Sequence, residues 1–292
     1  EVTSSYMMPE RELQAHVRDA MATVGYTARY AALWGAENCI DPEALDIAAH
    51  IGMQSPDIAQ GVDTDGWGDQ GIFWGMATGT DQTGCMPLDH HIAKSLGMML
   101  YKNALDGTLQ TGLDIKTQAT VLRGKLREII VAAPVRTVSG ERMLKNAVLR
   151  WLHARGMFDA LLTINGTGRY VCHATSGDCG TTGRKLAVDF YGGNCFIGGG
   201  CPWGKDPTKA DVTLNIYARM LALEMHEKTG IETVYCAISC CIGRKEIDIA
   251  YFDGHLNEIA TSSEARPARE IIDALGLRRP DWARKCREGL FS

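Results

Sequence analysis

Tyr191-Gly192-Gly193-Asn194-Cys195-Phe196-Ile197-Gly198-Gly199-Gly200-Cys201-Pro202-Trp203-Gly204-Lys205-Asp206-Pro207-Thr208-Lys209-Ala210-Asp211 is the most informative stretch of the chain. Its glycines let the backbone approach a ligand closely. The apolar run Leu186 to Phe190 before it reads as a strand, and the periodic run from Thr208 to Lys228 after it reads as a helix. A helix N-terminus reached through glycines favours anions, and Lys205 and Lys209 add two point charges. A polyphosphate suits this loop; the competing reading is a flexible glycine loop beside a solvated lysine pair. Gly199, four residues, Gly204 and Lys205 also satisfy the P-loop pattern. However, Asp206 stands where a P-loop places the Ser or Thr that binds magnesium, and Pro202 removes one N–H from the cradle. The P-loop match is a coincidence of spacing.

The rest of the chain interleaves helix and strand patterns. Leu13, His16, Val17, Ala20 and Met21 sit at helical spacing between Pro9 and Gly25. Pro87 opens a second helix through Ile92, Leu96 and Leu100, and Met143, Leu144, Val148 and Leu152 mark a third that ends at Gly156. Short β-rich runs cover Ile129 to Val135, Thr233 to Ile238 and Glu246 to Phe252. Cys241-Ile242-Gly243-Arg244 joins the last two as a hairpin. A mixed α/β chain, its sheets covered on one face by helices, follows.

The 292 residues, 45% hydrophobic and 22% charged, can bury a sizeable core in two or three domain-sized units. A formal charge of −5 provides no basic field for nucleic acid or an anionic membrane, so phosphate chemistry must rest on local cations. The ten cysteines read as free thiols in so long and apolar a chain, and Cys236, Cys240 and Cys241 lack the spacing of a zinc site. No apolar run approaches the roughly 18 to 20 residues of a membrane span, and the start does not resemble a signal peptide. A cytoplasmic location is the expectation.

Three further clusters carry ligand chemistry. Gly177-Asp178-Cys179-Gly180-Thr181-Thr182-Gly183-Arg184-Lys185 sets an acid and two cations around glycine turns, and Arg184 can fork a phosphate. Asn165-Gly166-Thr167-Gly168-Arg169-Tyr170 offers an arginine and a ring able to stack on a base. In a strand, Asp114 and Lys116 would point to one face, as an ion pair or as a grip on ribose and phosphate. Taken singly, each also reads as surface decoration. The histidines show no metal-ligand spacing, and no G-x-S-x-G elbow occurs.

Together and in this order, the segments resemble methionine adenosyltransferase, the S-adenosylmethionine synthetase family. The family's G-G-G-A-F-S-G-K-D-P-[ST]-K-V-D is matched by Gly198 to Asp211, and its G-D-[AC]-G-L-T-G-R-K by Gly177 to Lys185. Its Q-S-P-D-I, G-V-D, G-D-Q-G, D-x-K-[ST]-Q and P-T-G-R-F segments find counterparts at Gln54, Gly61, Gly68, Asp114 and Gly166. The resemblance implies a fold of three similar mixed-sheet-plus-helix units around a pseudo-threefold axis: a partial N-terminal domain at 1–64, a central domain at 65–171 and a C-terminal domain at 172–292. It implies that ATP and L-methionine give S-adenosylmethionine, phosphate and pyrophosphate. Lys116, Lys185 and Lys205 would hold phosphates, Arg184 would neutralise the leaving group and Asp211 would bind magnesium. Asp114, Ile115, Arg169, Tyr170, Asp178 and the backbone at Cys201 would line the nucleotide. Asp178 and Lys209, with Glu1, Gln54 and Ile238, would form the methionine pocket. A homodimer or dimer of dimers with shared active sites is implied as well, with potassium as a second cation.

The departures are equally specific. The family's His-Pro-Asp-Lys motif and the acid of its potassium site lie ahead of the position Glu1 occupies and have no match in the chain. Gly166 replaces a proline, Tyr170 a phenylalanine, and Val135 stands about where the family has a histidine. Three readings follow: a synthetase completed by an N-terminal peptide or second chain, a compact synthetase, and a catalytically impaired partner subunit. Another ATP-binding phosphotransferase is the more distant alternative. The first is favoured, because clustered unpaired cations cost stability unless an anion meets them.

Overall fold

The computed structural model describes residues 2–4, 8–53, 55–56, 66–279 and 282–292, with the side chains of 2–4 left aside. In chain order the elements are β1 (Val2–Ser4), α1 (Glu10–Val24), α2 (Ala28–Trp34), β2 (Ile51–Met53) and β3 (Gly71–Thr78). Then come α3 (Leu88–Leu105), β4 (Lys116–Leu122), β5 (Lys125–Ala132), α4 (Val138–His153), β6 (Leu161–Ile164) and the one-turn α5 (Leu186–Asp189). The chain closes with α6 (Ala210–Thr229), β7 (Thr233–Cys240), β8 (Glu246–Asp253), β9 (Glu258–Ala265), α7 (Ala268–Ala274) and α8 (Trp282–Glu288). Among the described residues, no helix is long and apolar enough to cross a membrane.

The chain forms two compact units, the first built mainly from residues 6–51 and 88–180 and the second mainly from 52–87 and 181–292. In the first, β4 and β5 form an antiparallel hairpin, turned at Arg123 and Gly124, both with positive φ as a two-residue turn requires. The β5 to β6 pairing is parallel, with α4 as the crossover. Ile92, Leu96 and Leu100 on α3, at helical spacing, meet Ile129 and Val131 of β5 and Leu144, Val148 and Leu152 of α4 in one buried cluster. Tyr30 and Trp34 of α2 pack with Leu113 in a smaller one.

In the second unit the sheet runs β3-β7-β8-β9, all antiparallel. Val234, Cys236, Ile238 and Cys240 of β7 alternate with half-buried or exposed residues. The buried set faces the core shared with Leu214, Ala218 and Leu221 of α6. β3 approaches that helix so closely that a Cβ on Gly75 would lie 2.1 Å from the Ala218 carbonyl carbon. The hairpin expected at 241–244 joins β7 and β8 as read.

The run Leu186 to Phe190, expected as a strand, is instead the helical turn α5. Phe190 N–H closes onto Leu186 O, and Gly192 N–H onto Ala187 O, so the backbone satisfies itself without a partner strand. The helical spacing then sends Leu186 and Phe190 to the cluster around Tyr191, Leu290 and Phe291, while Val188 stays 66% exposed. A second correction concerns β5, which begins at Lys125 and ends at Ala132. Val135 lies beyond it and donates its N–H to Tyr170 O at 2.9 Å.

Candidate active site

In the second unit, the glycine loop leading into α6 is fixed by a carboxylate. Asp211, in the first turn of α6, accepts the Gly200 N–H at 2.6 Å on one oxygen and the Lys205 ammonium on the other. Gly199 has φ +76, and a Cβ there would meet Asp211 Oδ1 at 2.6 Å; a Cβ on Gly198 would lie 1.9 Å from Ile72 O. The glycines are therefore required by close packing under the loop. Asp206 accepts the N–H and hydroxyl of Thr208, which turns the chain so that the helix begins at Ala210 rather than Thr208. Lys209 is the residue before the helix and is half-buried, with no side-chain cap bond.

The second glycine cluster packs on the first. Gly183 has φ +88, and its missing Cβ would sit 2.6 Å from Cys201 Cβ, so the turn bearing Arg184 and Lys185 rests on the loop bearing Cys201 and Lys205. Arg184 and Lys185 are exposed, and neither they nor Lys209 has an acidic partner among the described residues. Lys205 does, in Asp211. Behind the loops lies Asp189, a carboxyl the sequence reading missed. Burial raises its pKa, and a hydrogen bond from Trp203 acts in the opposite direction. Ile238 is fully buried, opposite Phe73, whose ring lies against Gly199.

In the first unit, Asp114, Lys116 and Tyr170 form a group of their own. Tyr170 donates its hydroxyl to Asp114 Oδ2 at 2.6 Å, Lys116 Nζ lies 4.0 Å from the same oxygen, and that ammonium sits 5.8 Å from the Tyr170 ring centre. Burial, then the bond to Asp114, raises the tyrosine pKa. Asp114 precedes β4 rather than lying in it, and Ile115 turns toward the core. Arg169 and Asp178 are exposed, before and after Tyr170 in sequence. Between them, His173 is buried and hydrogen-bonded throughout. Nδ1–H donates to Val171 O at 2.7 Å and Nε2 accepts the Tyr30 hydroxyl at 2.5 Å, while Tyr30 in turn accepts the Leu113 N–H. Burial lowers the histidine pKa, so the ring acts as a neutral structural post. Glu1 and Gln54 lie outside the described residues.

Three comparisons bear on this arrangement. A family model described as the C-terminal domain of S-adenosylmethionine synthetase matches residues 172–292, which carry both glycine clusters. The chain is 30% identical to the S-adenosylmethionine synthase of Helicobacter pylori strain G27, over 100% of this chain and 79% of that relative. The chain belongs to the S-adenosylmethionine synthetase family. The synthase of Helicobacter acinonychis strain Sheeba is 31% identical with the same coverage. Among solved structures, an unusual S-adenosylmethionine synthetase from Campylobacter jejuni superimposes with a TM-score of 0.83 at 25% identity, covering 99% of this chain and 81% of that one. The mixed α/β architecture of this synthetase family member is thus the family's.

No group of three His, Cys, Asp or Glu side chains able to hold a metal occurs among the described residues. Asp211 offers a single carboxylate. That fits magnesium, which binds through one or two carboxylates and takes its other ligands from phosphate oxygens and water; it does not make an all-protein cage.

Proposed function

We propose that this protein makes S-adenosylmethionine from ATP and L-methionine, releasing phosphate and pyrophosphate. The observation that carries the reading is the seat of Gly183 on Cys201, which puts Arg184 and Lys185 beside the loop of Lys205. In the proposed step the methionine sulfur attacks the ribose C5′. The bond from C5′ to the triphosphate oxygen breaks, and the electron pair leaves with the triphosphate, which is then hydrolysed. A triphosphate leaves readily only where its charge is met. One preorganised donor at such a point supplies roughly 3 to 4 kcal/mol in a water-excluded site. Arg184 forks two oxygens, while Lys185 and Lys205 act as point charges. Asp211 would hold magnesium, which would add its charge to theirs.

Lys116 is assigned to phosphate as well, and Asp114, Ile115, Arg169 and Tyr170 to the nucleoside. Asp178 and Lys209 are assigned to the charged ends of methionine, and Glu1 and Gln54 to the same substrate; Ile238, fully buried in the core under α6, presents no side-chain surface to it. Association as a homodimer or dimer of dimers is carried over as the working state. The test is to supply the full-length protein with ATP, methionine and magnesium and to look for the sulfonium product by mass spectrometry. ATP turnover that is indifferent to methionine and yields no sulfonium would overturn the reading.

A further inference from the structure

A cavity of about 690 Å³ opens within the first unit; none of the residues assigned to ATP or methionine lines it, although Leu113 of its lining directly precedes Asp114. Its size is that of a small-molecule site. One wall is aromatic: the Tyr30 and Trp34 rings lie nearly parallel, 6.1 Å apart and 23° between planes. Leu33, Leu105, Leu109 and Leu113 supply most of the remaining apolar lining. The wall is held in place, because Tyr30 is tied to Leu113 N–H and to His173.

The polar lining has one sign. Its charged residues are Arg29 and Arg136, with no acid among the lining residues, in a chain of net charge −5. Arg136 is anchored by the carbonyls of Leu33 (2.6 Å) and Trp34, and its guanidinium stands 5.3 Å from the centre of the Trp34 ring. Three acids near the lining are already engaged, Asp114 among them through the Tyr170 hydroxyl. Glu37 lies 3.9 Å from Arg136, and Asp106 accepts the N–H and hydroxyl of Thr108. The hydroxyl oxygens of Thr27 and Thr137, both lining residues, accept the N–H of Tyr30 and Gly140, which leaves each hydroxyl proton free to donate.

We propose that this cavity is a second binding site, for a flat apolar molecule bearing one carboxylate or sulfonate. The apolar body lies along Tyr30 and Trp34, and the anionic group meets Arg29, Arg136 and the threonine hydroxyls. Charge-assisted bonds of this kind set the selectivity. The site stands independently of the reaction proposed above.

The probes are naphthoate and the neutral naphthalenemethanol, titrated by calorimetry into the full-length protein. Naphthoate is expected to bind at least about tenfold more tightly, the effect of roughly one charge-assisted contact. Ala22→Trp, at an exposed lining position, is expected to abolish that binding, and Arg29→Glu to weaken it by about tenfold or more. Lys125→Glu makes the same charge change at the β4–β5 turn, away from the cavity, and is expected to leave the titration as it was. Equal affinities for the two probes overturn the proposal. So does a naphthoate titration that neither cavity substitution changes, or one that Lys125→Glu weakens as much as Arg29→Glu.

Discussion

Asp211 has two partners that ask different things of it. The Gly200 N–H fixes the loop through one carboxylate oxygen, and the Lys205 ammonium occupies the other. On the proposed reaction, Lys205 would leave this pair for the phosphates, which would free the Asp211 carboxylate to hold magnesium. Lys205→Ala is therefore expected to lower kcat by roughly 10²- to 10³-fold with little change in the KM for methionine. Asp211→Asn is expected to move the magnesium titration to higher concentration. A loss confined to methionine KM would take Lys205 out of the phosphate site, and an unmoved titration would take Asp211 off the metal. His173 makes a different kind of prediction. Burial holds its pKa below the unfolded value of about 6.5. As pH falls through that value, the unfolded chain takes up a proton the folded ring refuses, so stability is whole above it and declines below. Urea midpoints at about pH 7.5 and about pH 5.5 are expected to differ, and the difference to shrink in His173→Gln. An equal difference in the variant would place the pH dependence in other groups.

Elements whose pattern is local were legible in the sequence. The helices α1, α3, α4 and α6 declare themselves by apolar spacing, and β7 and β8 by alternation around a glycine turn. The glycine clusters were legible for the same reason, since their motifs are contiguous. What was not legible depends on partners distant in sequence. β3, rich in glycine at Gly71 and Gly75, pairs with a strand more than a hundred residues later, and only that pairing makes it a strand. The Tyr170 to Asp114 bond spans 56 residues, and the seat of Gly183 on Cys201 follows from shape rather than from any motif. Leu186 to Phe190 was misread because a run of five apolar and acidic residues fits a strand as well as a helical turn, and the burial of Phe190 decided between them. The β3 to α6 contact provides a test at this scale. Gly75→Ala puts a methyl where the Ala218 carbonyl stands, so a loss of about 1 to 3 kcal/mol or more is expected in urea unfolding. Unchanged stability would mean that the strand and helix do not pack as closely as described.

At the scale of the whole molecule, the sheet of the second unit is two-faced in a way that bears on assembly. One face is covered by α6, and the other gathers Trp74, Phe196, Tyr235 and Phe252. Trp74 lies 4.6 Å from Phe196 and 6.1 Å from Phe252 between ring centres, and Phe196 lies 6.3 Å from Tyr235. Ile72 and Phe196 remain 54% and 49% exposed at this face. Exposed apolar clusters of this kind mark interaction surfaces. In a twofold dimer the same patch occurs on both subunits, so a single substitution is felt twice. If the proposed homodimer closes on this face, light scattering gives twice the chain mass for the unmodified protein. Ile72→Glu or Phe196→Glu then shifts it toward monomer with an unchanged circular dichroism spectrum, because both side chains are already solvent-exposed. Added salt distinguishes the driving force: an apolar contact persists at high ionic strength, whereas association through surface charge weakens. Variants that remain dimeric would move the interface to another surface, and an unmodified chain that stays monomeric at every concentration tested would remove the proposed assembly. If active sites are shared between subunits, activity should fall with dimer content as the protein is diluted, and the two glutamate variants should lose turnover even though neither residue belongs to the proposed ATP or methionine set.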